Sequence, residues 1–169
     1  MKKLERKLNR LPDYNYSQNG WYFVTVCTKN KVVYLGDIKN KQMILNKYGK
    51  IVEKYWLQIP NYYEDVKLDL WVVMPNHIHG IIVVENDMLR TEQCSVLTEK
   101  RYGLLSKIIK SFKEACVKDI HKQFNNFEFA WQRSFYDHVI RDERSLDQIR
   151  EYVQNNPLKW DLDENNPEN

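Results

Sequence analysis

His77-Ile78-His79 opens an apolar run, Gly80-Ile81-Ile82-Val83-Val84, with the composition of a β-strand. Strand alternation puts both imidazoles on one face, about 6 to 7 Å apart at ~3.3 Å per residue, with Ile78 directed into the opposite layer. Two imidazoles so placed can share one divalent ion, although they are too few for a structural zinc site. A half-buried pair of hydrogen-bonded histidines is the plainer alternative. Near the C-terminus, Tyr152 and Asn156 lie four residues apart, so on a helix a phenol and an amide face the same point and could complete such a shell. The bland alternative is again open: Tyr152 as one more amphipathic residue beside Ile149 and Val153, and Asn156 as a helix terminator before Pro157.

The elements that must carry these residues follow from periodicity. Residues 20 to 28 alternate as a buried strand, and from Lys41 to Gln58 apolar residues recur at three and four, the mark of an amphipathic helix ended by Pro60. Asp65 to Met74 and Ile78 to Val84 form a hairpin across Pro75 and Asn76. Residues 85 to 102 are polar and irregular and read as a surface loop that could cover a bound strand. Gly103 to Ile120 is a second helix with Lys107, Lys110, Lys113 and Lys118 on its polar side, Phe129 to Ile140 holds a fourth strand, and Ser145 to Asn156 is a third helix with Ser145 and Gln148 as a capping box. The order β-α-β-β-α-β-α predicts an α+β fold: a ferredoxin-like split β-α-β antiparallel sheet with an added C-terminal helix carrying Tyr152.

The 169 residues suit one domain over 1 to 160, followed by a frayed acidic tail over 161 to 169. Net charge is +3, but the tail holds four acidic residues and no basic one, so the body carries +7 and suits a polyanionic partner; ordinary solubilising charge is equally compatible. The basic N-terminus has no apolar segment behind it and no run is long enough to span a bilayer, so a cytoplasmic protein without membrane contact is expected. Cys27, Cys94 and Cys116 are widely spaced, which excludes a zinc ribbon and leaves buried thiols.

Three runs in order, Trp71 to Gly80, Trp131 to Arg141 and Tyr152 to Lys159, resemble the HUH single-tyrosine transposases, above all the REP-associated tyrosine transposases and relatives from small insertion sequences. The resemblance covers residues 16 to 160 and implies a metal-dependent enzyme that nicks and rejoins single-stranded or hairpin DNA through a covalent 5′-phosphotyrosine. It implies His77 and His79 as metal ligands, Tyr152 as nucleophile, and Asn156 as the polar ligand one turn beyond. Insertion-sequence members carry Gln at that last place, so Gln154 and Asn155 remain substitutes, as Tyr136 remains a rival nucleophile. Mg²⁺ or Mn²⁺ is the implied cofactor. Lys107, Lys110, Lys113, Arg133, Arg141 and the segment Lys2 to Arg10 are candidates for phosphate contact. A homodimer is possible within the family, and the alternative function is a domesticated, non-catalytic DNA-binding regulator of the same fold.

Overall fold

Strand alternation through His77–Val84 decides which residues meet which layer, and the computed structural model, which describes residues 15 to 85 and 103 to 169, shows the result. The elements are β1 (Gly20–Cys27), β2 (Gly36–Lys39), β3 (Gln42–Leu45), α1 (Lys47–Leu57), α2 (Ile59–Tyr62), β4 (Val66–Val73), β5 (His77–Val84), α3 (Leu104–Phe124), β6 (Tyr136–Ile140) and α4 (Glu143–Asn155), with a 3-10 helix over Asn156–Leu162. The main sheet has the order β4-β5-β1-β6 with every pairing antiparallel. Counted over the four main strands this is 2-3-1-4, the ferredoxin-like arrangement expected from the order of elements.

Tyr22, Val24 and Val26 of β1 and Ile78, Ile82 and Val84 of β5 point to one face, where they pack under Val52 and Trp56 of α1 and Leu105, Ile108 and Phe112 of α3. Gly80 lies on this face too, and a Cβ there would meet Cζ2 of Trp56 at 2.2 Å, so the glycine is what lets the indole lie flat on the strand. Phe23 and Ile81 point the other way, with Ile140 of β6, against Leu146 and Val153 of α4. Strand β5 is buried along its whole length because both of its faces are covered.

The structure corrects several expected boundaries. The first helix starts at Lys47 rather than Lys41, because Asn40 and Lys41 both take positive φ (50° and 62°) and close a hairpin between β2 and β3. Asn46 then restarts the chain as N-cap, its side chain accepting from Tyr48 and Gly49 N–H. Pro60 sits in the first turn of α2 instead of ending a helix. Helix α4 begins earlier than expected: Asp142 is its N-cap, accepting from Ser145 N–H at 2.8 Å, so the capping pair is Asp142 with Ser145 and not Ser145 with Gln148. Pro157 likewise opens the 3-10 turn. The polar segment 86 to 102, Cys94 and the basic residues Lys2 to Arg10 lie outside the described residues.

The largest departure is the acidic tail. Asp163, Asn165 and Asn166 are buried, and the last residues form turns closed by their own side chains, with Asn165 N–H donating to Asp163 Oδ1 at 2.7 Å. Short Asp and Asn side chains bond readily to nearby backbone, which holds this segment without an apolar core of its own.

Candidate active site

On the α4 side of the sheet one cross-strand row reads Val72, His79, Thr25, Tyr136, with Cys27 beside His77 in the next. Both imidazoles are almost wholly buried, at 0% and 2% exposure. Their Nε2 atoms face each other at 2.9 Å, and each Nδ1 has its own partner: Asn76 Oδ1 for His77 at 2.8 Å, Thr25 Oγ1 for His79 at 2.8 Å. The amide oxygen of Asn76 can only accept, so His77 carries its proton on Nδ1 and its Nε2 is bare. A hydroxyl both donates and accepts, so Thr25 supports either tautomer of His79 and leaves its Nε2 able to release a proton when a cation arrives. Asn76 is itself held, its Nδ2 donating to the carbonyls of Lys31 and Asn165 at 2.8 and 2.7 Å.

Burial keeps both histidines neutral. It drives His77 down to about 3, with nearby Lys31 adding to the effect, and it lowers His79 well below its ordinary value, with His77 adding to it and Asp163 opposing. Neutral imidazole is the metal-ligating form. Asp163 Oδ2 stands 3.9 Å from His77 Nε2, and ligand atoms of His77, His79 and Asp163 all lie within 4.8 Å of one another. Asn156 is buried too, and its Oδ1 has no hydrogen-bond partner among the described residues. Leaving a buried acceptor bare costs about 1 to 3 kcal/mol, so this atom has the character of a ligand in waiting. Two neutral imidazoles and a carboxylate within this distance are a donor set that could hold a metal ion.

Tyr152 reaches the same point from α4. Its hydroxyl lies 3.3 Å from His79 Nε2, and its ring packs edge-on to Phe23 and His79. The ring is nevertheless 45% exposed. Partial burial, then the negative charge of Asp163, push its phenol above the ordinary value, while the nearby Asn156 side chain works the other way. The angle of α4 across the sheet is held by Arg150, whose guanidinium pairs with both carboxylate oxygens of Asp69 on β4. His79 and Tyr152 line a cleft of about 390 Å³ whose far wall is Gln132, Ser134, Phe135 and Tyr136.

The structure thus brings together four residues expected from the sequence, His77, His79, Tyr152 and Asn156, and adds three that sequence reasoning missed: Asp163, Asn76 and Thr25. Asp163 lay in the supposed tail; the density of Asp and Asn there was the one available signal. Tyr136 stands in the same row, but two strands from His77 and with Thr25 between it and His79. Of the phosphate candidates, Lys107 and Lys110 are exposed on α3, the helix that packs on the opposite face of the sheet, and Lys110 pairs with Glu114. Arg133 and Arg141 are exposed on the segments flanking β6. Lys113 departs from the expected role: its ammonium donates to the carbonyls of Gln132 and Ser134 at 2.9 and 3.0 Å, and burial lowers it to about 8. Its charge is taken up by the backbone of the cleft wall rather than offered to solvent. Among the described residues no helix is long and apolar enough to cross a membrane.

No protein-family model matches the chain. An uncharacterized protein of Haemophilus influenzae is 39% identical over 166 residues, covering 94% of this chain and 92% of its own length. A second protein of that organism, provisionally named a REP-associated tyrosine transposase, is 26% identical over 147 residues, covering 86% of this chain and 74% of its own. Among solved structures, a REP-associated tyrosine transposase bound to a REP hairpin superposes with a TM-score of 0.58 at 17% identity, covering 95% of this chain and 74% of the other. The chain is thus similar in fold to a REP-associated tyrosine transposase and, at lower identity, similar in sequence to a protein provisionally given that name.

Proposed function

We propose that this protein is a metal-dependent DNA nickase and strand-transfer enzyme, with Tyr152 as nucleophile and His77, His79, Asp163 and Asn156 around the cation. The observation that carries this reading is the 3.3 Å approach of a half-exposed phenol to a histidine pair whose Nε2 atoms converge at 2.9 Å. A buried histidine pair kept for structure alone needs neither an exposed tyrosine beside it nor a bare amide oxygen below.

Bound there, Mg²⁺ or Mn²⁺ supplies Lewis-acid charge to a non-bridging phosphate oxygen and offsets the carboxylate of Asp163. The chain's own residues do the rest. A free phenol, with a pKa near ~10, is about 0.1% ionised at neutral pH, and burial beside Asp163 lowers that fraction further, so Tyr152 attacks only once that charge is balanced. Asn156, whose side chain stands near the Tyr152 phenol, orients the phenol oxygen, and the half-exposed ring lets the proton leave to solvent. The phenol oxygen to phosphorus bond forms as the bond to the 3′ oxygen breaks, and that oxygen leaves as a 3′-OH. The resulting 5′-phosphotyrosine keeps the bond energy, so rejoining by the reverse attack needs no nucleotide cofactor. The REP hairpin held by the structural neighbour supports single-stranded or hairpin DNA as substrate.

The test is adduct formation on labelled single-stranded and hairpin DNA from the regions flanking the gene, with Mg²⁺ or Mn²⁺. A metal-dependent covalent product is expected for the wild type and none for Tyr152→Phe or His79→Ala. Asp163→Asn is expected to raise the Mn²⁺ needed for half-maximal adduct about 10- to 100-fold, the scale seen when the surroundings of a metal are altered. Tight DNA binding by the wild type with no adduct in either metal would transfer the protein to the class of non-catalytic regulators.

A further inference from the structure

We propose that the cleft beside Tyr152 is a nucleobase-reading subsite, in which Tyr136 supplies a stacking face and Gln132 reads the edge of an adenine next to the attacked phosphate. This rests on the nickase reading above. The cleft is open, about 390 Å³, within the range of small-ligand pockets, and it is lined by His79 and Tyr152, by the 132 to 136 segment, by Phe23, Thr25 and Cys27 of β1, and by Glu164 and Asn165 of the C-terminal segment. A phosphate at Tyr152 therefore brings the neighbouring nucleotide into it.

Its two walls differ in kind. Tyr136 is 52% exposed although it stands on the sheet, held edge-on by Phe23 at 6.3 Å between ring centroids, which leaves ring surface open to the cleft. An aromatic ring fixed this way stacks on any base. Gln132 and Ser134 add polar groups to the same wall. A glutamine amide pairs one donor and one acceptor, the pattern that matches N7 and the N6 amino group of adenine.

The wall is also stiff. Gln132 N–H donates to Cys27 carbonyl at 2.9 Å, Thr28 pairs with Trp131, and the Lys113 ammonium ties the carbonyls of Gln132 and Ser134 together. With its backbone polar groups engaged in this way, the segment offers side chains rather than peptide groups to a ligand. A partly buried ammonium committed to two carbonyls of an otherwise irregular segment is the kind of positioning a reading surface needs and a plain connection does not.

The experiment measures binding without cleavage, using Tyr152→Phe protein and fluorescent single-stranded hexamers of dA, dT, dC or dG. The dA hexamer is expected to bind about 5- to 150-fold more tightly than the pyrimidine hexamers, the scale of one bidentate base contact. Adding Gln132→Leu should remove that preference, and adding Tyr136→Leu should weaken all four hexamers by about 5- to 150-fold, the scale of one stacked base. Tyr136→Phe should restore binding. Equal affinity for the four hexamers, or unchanged affinity after Tyr136→Leu, overturns the proposal. Because no adduct is measured, a protein that binds as described but never cleaves loses the nickase reading and keeps the subsite. One that cleaves without these base effects loses the subsite alone.

Discussion

The two faces of the central sheet are made from alternate residues of the same strands, yet they are built for opposite ends. On the α1 and α3 side, Val24, Val26, Ile78 and Ile82 meet Trp56, Ile108 and Phe112 in a continuous apolar layer. On the α4 side, the apolar contact shrinks to Phe23, Ile81, Ile140, Leu146 and Val153, and the rest of the face is His77, His79, Thr25 and Cys27, closed over by Trp160, Asp163 and Asn165. Burying so many polar groups is tolerable only because each imidazole nitrogen has a partner; on this face Asn156 Oδ1 is buried without one among the described residues. One strand therefore carries a stability layer and a chemical layer in register, and a one-residue slip of β5 would exchange them.

Substitutions should separate stability from chemistry according to the parity of the residue. The largest effect is expected from Tyr152→Phe, which should abolish the covalent adduct while changing stability by no more than roughly 0.5 kcal/mol, as for an ordinary surface substitution; adduct gels and a urea titration on the same preparation test both halves. On the other face, Trp56→Ala should cost about 3 to 5 kcal/mol in the same titration. The lower part of that range is favoured because the Trp56 indole N–H has no partner among the described residues. Gly80→Ala should cost about 1 to 3 kcal/mol through overpacking against Trp56, although its neighbours His79 and Ile81 point to the opposite face; a shift in Tm reads it.

The smallest expected effect is at the strut between the layers. Asp69→Asn should lose about 0.5 to 1 kcal/mol at neutral pH, since the pair with Arg150 is partly exposed. The hydrogen bonds from Arg150 hold the Asp69 carboxyl below its ordinary value of 3.8. A depressed carboxylate contributes its stability above the unfolded value and loses it as pH falls through the folded one. The stability difference between wild type and Asp69→Asn should therefore be full at pH 6 and shrink below about pH 4. A difference that persists at pH 2 would show that Asp69 acts through packing instead.

Much of this was legible in the sequence, and the reasons are local. The His-x-His spacing, the alternation along residues 20 to 27 and 77 to 84, and the three-four rhythm of α3 and α4 each depend on neighbours a few residues away, and the observed faces agree with them. The β2–β3 hairpin was illegible because Ile44 and Leu45 also fit a helical rhythm; the positive φ at Asn40 and Lys41, which broke it, is a backbone choice that asparagine and lysine do not announce. Lys113 had the spacing of a surface lysine, and nothing in its own helix says that the carbonyls of Gln132 and Ser134 wait beside it.

What the sequence determined by itself was the phase of each element: which side chains share a face, where a helix can be capped, and that His77, His79 and Tyr152 fall on faces able to meet. Only the tertiary structure decided what completes the site. Asp163 reaches His77 across 86 positions in the chain, Asn165 reaches Asn76 across 89, and Thr25 supports His79 across 54. Periodicity reports the direction of a side chain relative to its own backbone, whereas contacts over such separations depend on how the α4 to Leu162 turn folds back over the sheet, a choice made by the packing of the whole layer.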